Sequence, residues 1–197
     1  MIITELLAVL SVSAATGLRI ALPLLLIGLI SADLWEQVPI LSNLPPTIVV
    51  GALVSWSLVE LIFAKQELVQ RFVQNVELAL SPVFGAITGI AVARTFYPDW
   101  WITALLGGLG GTLALVIKLV QVGRFYRFRR PSVWLIFAED FLCVCLVFLA
   151  FDAPQQGGLI ALLLLWIALR TSQAWRQWYL GPRRGDGRRS RRLKREP

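Results

Sequence analysis

The sequence predicts an all-α fold: a polytopic membrane helix bundle of about six transmembrane helices, with both termini cytoplasmic. Of its 197 residues 57% are hydrophobic, and the apolar runs repeatedly reach the ~20 residues that a helix needs to cross ~30 Å of hydrocarbon. Lys and Arg concentrate in alternate connections between these runs, a pattern typical of cytoplasmic loops. Residues 1–180 are therefore predicted to form a transmembrane domain, and residues 181–197 a separate basic tail.

Polar and proline-containing stretches divide the apolar chain into six predicted spans. The first span is longer than a crossing requires, and Gly17 and Pro23 inside it predict a kink or local unwinding around Arg19. Because it lacks a basic n-region and a small-residue cleavage site, we expect a mature helix rather than a signal peptide. The predicted spans are 4–31, 47–64, 75–96, 100–122, 132–152 and 157–175.

The distribution of basic residues predicts the orientation of these spans. One side of the predicted bundle holds Lys65, Arg71, several arginines of the segment 124–130 and the C-terminal tail. The other side has only Arg94, near a helix end. Both termini are therefore expected on the basic, cytoplasmic side.

The tail has no apolar periodicity on which to fold, so we predict that it is disordered. Next to a membrane, each basic residue attracts anionic headgroups by ~1 kcal/mol. Nucleic-acid binding is not expected, because no aromatic residues alternate with the basic ones. The residues predicted to contact lipid headgroups are Arg183, Arg184, Arg188, Arg189, Arg191, Arg192, Lys194 and Arg195.

Two GxxxG pairs predict a close contact between the third and fourth spans. Small residues at this spacing let two helix backbones approach closely. If these spans fold as a hairpin about Pro98, Gly89 lies opposite Gly107 and Gly85 opposite Gly111, since each pair is equidistant from the turn.

Ionisable residues recur at one predicted depth inside the apolar spans: Arg19, Glu60, Glu139 and Asp140. A charged side chain at mid-bilayer costs from about 2.5 kcal/mol upward, so such residues usually turn inward and pair. Arg19 and Glu60 lie on consecutive spans and are expected to form an ion pair. Lys118 lies somewhat closer to the cytoplasm, within expected reach of Glu139.

Two interpretations of this charged layer stay open. In the structural one, the charges hold the helices together. In the functional one, they line a water-accessible cavity that binds or relays a cation or a proton, or holds an anionic substrate against Arg19. The predicted layer contains one basic residue, Arg19, and three acidic residues. This charge balance favours cation or proton handling, although adding Lys118 weakens the preference.

Our functional prediction is a small transport or permeation protein whose charged layer handles protons or cations. The alternative is a non-transporting scaffold or assembly factor that binds partner proteins, a second copy of the chain or anionic lipid. An enzyme is less favoured, because the chain has no histidine and no recognised catalytic motif. Cys143 and Cys145 point to nearly opposite sides of a helix, so neither a disulfide nor a shared metal site is predicted. No cofactor and no catalytic residue is predicted either.

Several motifs resemble those of the uncharacterised bacterial membrane family known as domain of unknown function 4126. They are Thr16-Gly17-Leu18-Arg19 followed by Pro23, Val59-Glu60-Leu61, Ser81-Pro82 with Gly85-Ala86, and Ala138-Glu139-Asp140. The resemblance runs from about Ala14 to Ala153. It implies a multi-pass protein of the bacterial inner membrane, or of another internal bacterial membrane, and supplies no activity or substrate.

Overall fold

The computed structural model describes residues 2–30, 45–63, 67–97, 99–127 and 133–180. These ranges contain seven helices and no strand, so the all-α prediction is confirmed for the described residues. The predicted disordered tail and its lipid contacts lie outside the described residues. The helices are α1 (Ile2–Leu18), α2 (Ala21–Ile30), α3 (Pro46–Phe63), α4 (Glu67–Arg94), α5 (Trp100–Arg127), α6 (Val133–Asp152) and α7 (Pro154–Leu180).

The predicted first span is interrupted at Arg19 and Ile20, which separate α1 from α2. The cause is Pro23, which has no backbone N–H to donate to the carbonyl of Arg19 and whose ring crowds that carbonyl. Pro23 itself lies in the first turn of α2, where proline is tolerated. The backbone therefore breaks in the interval between Gly17 and Pro23, where the sequence predicted a kink or unwinding.

Helix α1 is the centre of the bundle. It packs against α4, α5, α6 and α7, and residues 11–18 are all buried. Small side chains make this possible: Ala14 and Ala15 are 0% exposed, so neighbouring backbones come close from several directions. Helix α2 packs instead against α3 and α6, and α3 has few other contacts.

Contacts along α1 fix its direction in the bundle. The hydroxyl of Tyr97, in the turn between α4 and α5, donates a hydrogen bond to Glu5 near the start of α1. Leu7 likewise contacts Gly158 at the start of α7. At the other end of α1, the carbonyl of Leu18 accepts a hydrogen bond from Lys118, near the end of α5.

The start of α1 and the start of α7 therefore lie at the same end of the bundle, and the end of α1 lies at the other. The prediction that both termini are cytoplasmic is not confirmed, because it assumed that residues 4–31 form one helix that begins on the basic side. Helix α1 alone, 17 residues and ~26 Å long, runs in from the opposite end of the bundle.

The contact between α4 and α5 is the most extensive in the fold. A Cβ atom built on Gly89 would lie 3.4 Å from the Cα of Gly107, and one on Gly85 would lie 3.3 Å from the Cα of Gly111. These are the pairs expected from their equal distances to the turn. Gly110 adds a third close approach, because a Cβ there would collide with the Ser13 hydroxyl of α1.

Two helical segments of the described chain are long and apolar enough to cross a membrane. They are Gln74–Arg94 in α4 and Trp100–Gly123 in α5. Of these windows 44% and 50% are buried in the protein, so about half of each helix faces outward.

Candidate functional site

A cluster of charged and amide side chains surrounds the break between α1 and α2. Its members come from four helices: Leu18 and Arg19 at the end of α1, Glu77 on α4, Lys118 and Gln121 on α5, and Glu139 and Asp140 on α6. We call this group the break cluster. At the helix break, backbone carbonyl groups that accept no hydrogen bond within a helix lie beside these charges.

The most buried contact in the break cluster joins α4 to α5. Lys118 Nζ lies 2.5 Å from Oε2 of Glu77, and their side chains are only 4% and 6% exposed. The same ammonium donates to the carbonyl of Leu18 at 3.4 Å. A cation at the C-terminal end of a helix also interacts favourably with the helix dipole. Lys118 therefore ties the end of α1 to both α4 and α5.

A second ion pair joins the break itself to α6. Arg19 Nε lies 2.8 Å from Oδ1 of Asp140, with side chains 20% and 30% exposed. Arg19 was predicted to pair with Glu60, whose side chain lies outside the described residues. Within the described residues, the structure places Arg19 against one of the two α6 carboxylates that the sequence placed in the same layer.

The neighbouring carboxylate of Glu139 accepts a hydrogen bond of 2.6 Å from the Gln121 side-chain amide. Lys118 was expected within reach of Glu139 but contacts Glu77. The reason is the register of α4 against α5: the glycine pairs bring Glu77 level with Lys118 on the same interface.

The break cluster lies in the basic half of the bundle rather than at its middle. Glu77 is close to the start of the apolar segment Gln74–Arg94, and Lys118 is close to the end of Trp100–Gly123. This places the pair ~10 Å from the Gly85–Gly111 contact at the centre of those segments. The mid-depth layer predicted from the sequence assumed that residues 4–31 form one span, with the depth of Arg19 counted from the end of that span.

Hydroxyl side chains line the contact between α1 and α4, and their role in helix packing was not predicted from the sequence. Thr16 and Thr88 lie 3.1 Å apart through their hydroxyl oxygens, and Ser13 donates to the carbonyl of Gly85 at 3.4 Å. Ser11 donates to the carbonyl of Leu146 on α6 at 2.7 Å. A signal was available, since Ser11, Ser13 and Thr16 interrupt an otherwise apolar helix.

Buried polar atoms without a hydrogen bond lie near these contacts. Among the described residues they are Gln74 Oε1, Ser81 Oγ, Gln121 Oε1 and Asp140 Oδ1. Asp140 Oδ1 is nevertheless in contact with Arg19, an ion pair without hydrogen-bond geometry. No three His, Cys, Asp or Glu side chains in the described ranges are grouped to hold a metal ion.

Residues 6–174, most of the chain, match the family described as Domain of unknown function (DUF4126). The chain belongs to this family. The match covers the whole break cluster and all of the helices except the first residues of α1 and the last residues of α7. The family description assigns no activity. No curated protein and no solved structure matches the chain.

Proposed function

We propose that this DUF4126 member is a small transport or permeation protein whose break cluster handles protons or cations. The proposal rests on one observation: charged side chains from α4, α5 and α6 meet at the break between α1 and α2. Transporters commonly build ion sites at discontinuous helices, because the unwound backbone offers carbonyl groups in the apolar interior. Charged side chains on neighbouring helices pair with each other there, which offsets the free-energy cost of placing charges and unwound backbone in an apolar interior.

Exposed apolar side chains support embedding in a membrane. Soluble monomers rarely expose a continuous apolar patch larger than a few hundred Å². In this bundle, large apolar side chains on three helices face outward, where lipid acyl chains could surround them. On α5, α6 and α7 they include Leu105, Leu109, Leu119, Phe141, Phe148, Leu159, Leu163 and Trp166.

The orientation follows from the basic end of the bundle. Arg124 and Arg127 close α5, and Arg71 lies in the first turns of α4, so the end carrying the break cluster is the cytoplasmic one. The start of α1 then faces the opposite side of a bacterial inner membrane. For the basic C-terminal tail, whose residues lie outside the described ranges, we propose anionic headgroups as the partners.

Flux measurements on purified protein in liposomes test the proposal. Proton, Na⁺ and K⁺ gradients are imposed separately, and the wild type is compared with Arg19→Gln/Asp140→Asn, which removes both charges of the exposed pair together. We expect a gradient-driven flux of at least one of these ions in the wild type and its loss in the double variant. A folded wild-type protein that passes none of the three ions would overturn the proposal.

The second candidate is a membrane scaffold, and one surface favours it. Along α5, Ala104, Gly108 and Thr112 are exposed at four-residue spacing, and a Cβ on Gly108 would meet nothing within 4 Å. Small residues at this spacing suit close helix association. Stable complexes that are lost in Gly108→Leu, together with no ion flux, would favour the scaffold.

A further inference from the structure

We propose that the transported species is a proton, exchanged at Glu77 through water held by Gln74, Gln121 and Ser81. This inference rests on the proposed transport function and narrows it from protons or cations to protons. The evidence for it is the position of the buried polar atoms that have no hydrogen-bonding partner in the described part of the chain. Three of the four are on α4 and α5, on either side of the Glu77–Lys118 pair along the helices.

The register of α4 against α5 brings Gln74 and Gln121 to one level. The helices run antiparallel, and Glu77 is level with Lys118. Gln74 precedes Glu77 by three residues and Gln121 follows Lys118 by three, so each lies one turn toward the basic end. Each carries a buried Oε1 atom that accepts no hydrogen bond from the described residues. Two amide oxygens at the same level can accept hydrogen bonds from one water molecule.

Ser81 lies one turn beyond Glu77 on the other side of the ion pair. The residue is 0% exposed, and its Oγ has no hydrogen-bonding partner in the described ranges. Its neighbour Pro82 lacks an N–H, so the helix also leaves the carbonyl of Leu78 without its usual donor. A hydroxyl and a freed carbonyl in one helical turn offer the two to four partners that a buried water requires.

The charges around Glu77 favour a proton over a metal cation. The Lys118 ammonium already lies 2.5 Å from the Glu77 carboxylate, in the position that a metal ion would occupy. Arg19 lies at the adjoining end of α1, and Glu139 and Asp140 lie across from it on α6. A second full cation at Glu77 would be repelled by Lys118, whereas a proton adds to the carboxylate itself.

The exchange step balances with water as the carrier. A hydronium ion on the Gln74–Gln121 side gives its proton to a Glu77 oxygen and becomes water, leaving a carboxylic acid. The acid then gives the proton to water beside Ser81 and returns to the carboxylate. Lys118 stays protonated throughout. Beyond Ser81, the next hydroxyls along α4 and α1 are those of Thr88 and Thr16, which lie 3.1 Å apart.

Proton and metal-ion flux in liposomes test this assignment. We expect Glu77→Gln to abolish proton flux, and Ser81→Ala and Gln121→Leu each to lower it about fivefold to tenfold, because a bridging water loses one partner. Ser55→Ala is the matched control, since Ser55 is exposed and bonds only within its own helix at Gly51. Its proton flux should equal that of the wild type.

The outcomes separate the two proposals. Wild-type protein that passes no ion overturns the proposed function, and this inference with it. Wild-type Na⁺ or K⁺ flux without proton flux, or proton flux retained in Glu77→Gln, overturns the proton assignment alone.

A second readout measures water at the ion pair directly and does not depend on flux. Solid-state NMR of the ¹⁵N-lysine-labelled protein in lipid measures magnetisation transfer from water to Lys118 Nζ, a signal assigned by its absence in Lys118→Arg. We expect transfer in the wild type and a marked reduction in Ser81→Ala. No transfer to Lys118 in the wild type would contradict the presence of water at the pair.

Discussion

Lys118 and Glu77 form an ion pair that is almost completely buried, with side chains 4% and 6% exposed. The Arg19–Asp140 pair of the same cluster is 20% and 30% exposed. The two pairs therefore have different physical roles. The buried pair fixes α4, α5 and the end of α1 to each other, and the more exposed pair lies where water can reach the helix break.

Replacing Lys118 by methionine should destabilise the bundle strongly. The variant leaves Glu77 buried without its ammonium partner, and breaking a buried pair on one side typically costs about 3–5 kcal/mol. Chemical unfolding of the purified protein in detergent measures the free energy. We expect the double variant Lys118→Met/Glu77→Gln to recover much of the loss, because no uncompensated charge then stays buried.

The matched control for this experiment is Asp140→Asn. That variant breaks the more exposed pair, and water can screen the Arg19 charge that is left. Its cost should be no more than about 1 kcal/mol. Equal losses in Lys118→Met and Asp140→Asn would contradict the distinction between the two pairs.

Two glycines on α5, Gly108 and Gly111, should change the stability of the protein in opposite directions when each is replaced by alanine. In Gly111→Ala the new Cβ would lie 2.6 Å from the backbone carbonyl oxygen of Pro82, so α4 and α5 must move apart. In Gly108→Ala the new Cβ would meet nothing within 4 Å. We expect a loss of about 1–3 kcal/mol for Gly111→Ala, and a gain of up to about 1 kcal/mol for Gly108→Ala from helix propensity.

Thermal unfolding in detergent measures both glycine variants under the same conditions. A detergent-solubilised Gly111→Ala protein as stable as Gly108→Ala would show that α4 and α5 are farther apart than the structure places them.

Helix positions and the glycine pairing could be predicted because they depend on local signals. Apolar run length defined the helices to within a few residues for α3 and α6. The equal distances of the glycines from the turn gave the register of α4 against α5. The break at Arg19 followed from Pro23, because proline acts on a backbone carbonyl four residues earlier whatever the tertiary structure.

Charge partners and helix direction could not be predicted in the same way, because they depend on which helices are neighbours. Adjacency along the chain predicts a partner for Arg19 on the next span, whereas the partner that the structure describes comes from α6, which packs against the central α1. The predicted direction of α1 rested on treating α1 and α2 as one span. Once α1 runs from the other end, Lys118 meets the carbonyl of Leu18 and the carboxylate of Glu77.

The pKa of Tyr97 should fall toward its ordinary value in Glu5→Gln. The hydrogen bond to the Glu5 carboxylate raises the Tyr97 pKa above 10.0, with burial and the charge of Glu5 as further causes. A raised pKa means that this contact stabilises the fold fully below the unfolded-state pKa, and that the stabilisation is lost as the pH rises through the folded-state pKa.

Ultraviolet difference titration of the phenolate measures this shift. Tyr97→Phe assigns the signal among the three tyrosines of the chain. A Tyr97 pKa that is the same in the wild type and in Glu5→Gln would remove the contact between the start of α1 and the α4–α5 turn.

The direction of α1 predicts which side of a membrane each part of the chain faces. Ile3 at the start of α1 and Phe96 in the α4–α5 turn are 72% and 47% exposed and lie at the same end of the bundle, away from the basic end. In intact cells, a membrane-impermeant maleimide should therefore label both Ile3→Cys and Phe96→Cys. A cysteine appended after Pro197 should react only when the membrane is opened. Labelling of Phe96→Cys but not Ile3→Cys would return the N-terminus to the cytoplasm and would separate Glu5 from Tyr97. Because the contacts of Leu7 with Gly158 and of Leu18 with Lys118 depend on the same direction, that result would also remove α1 from the break cluster.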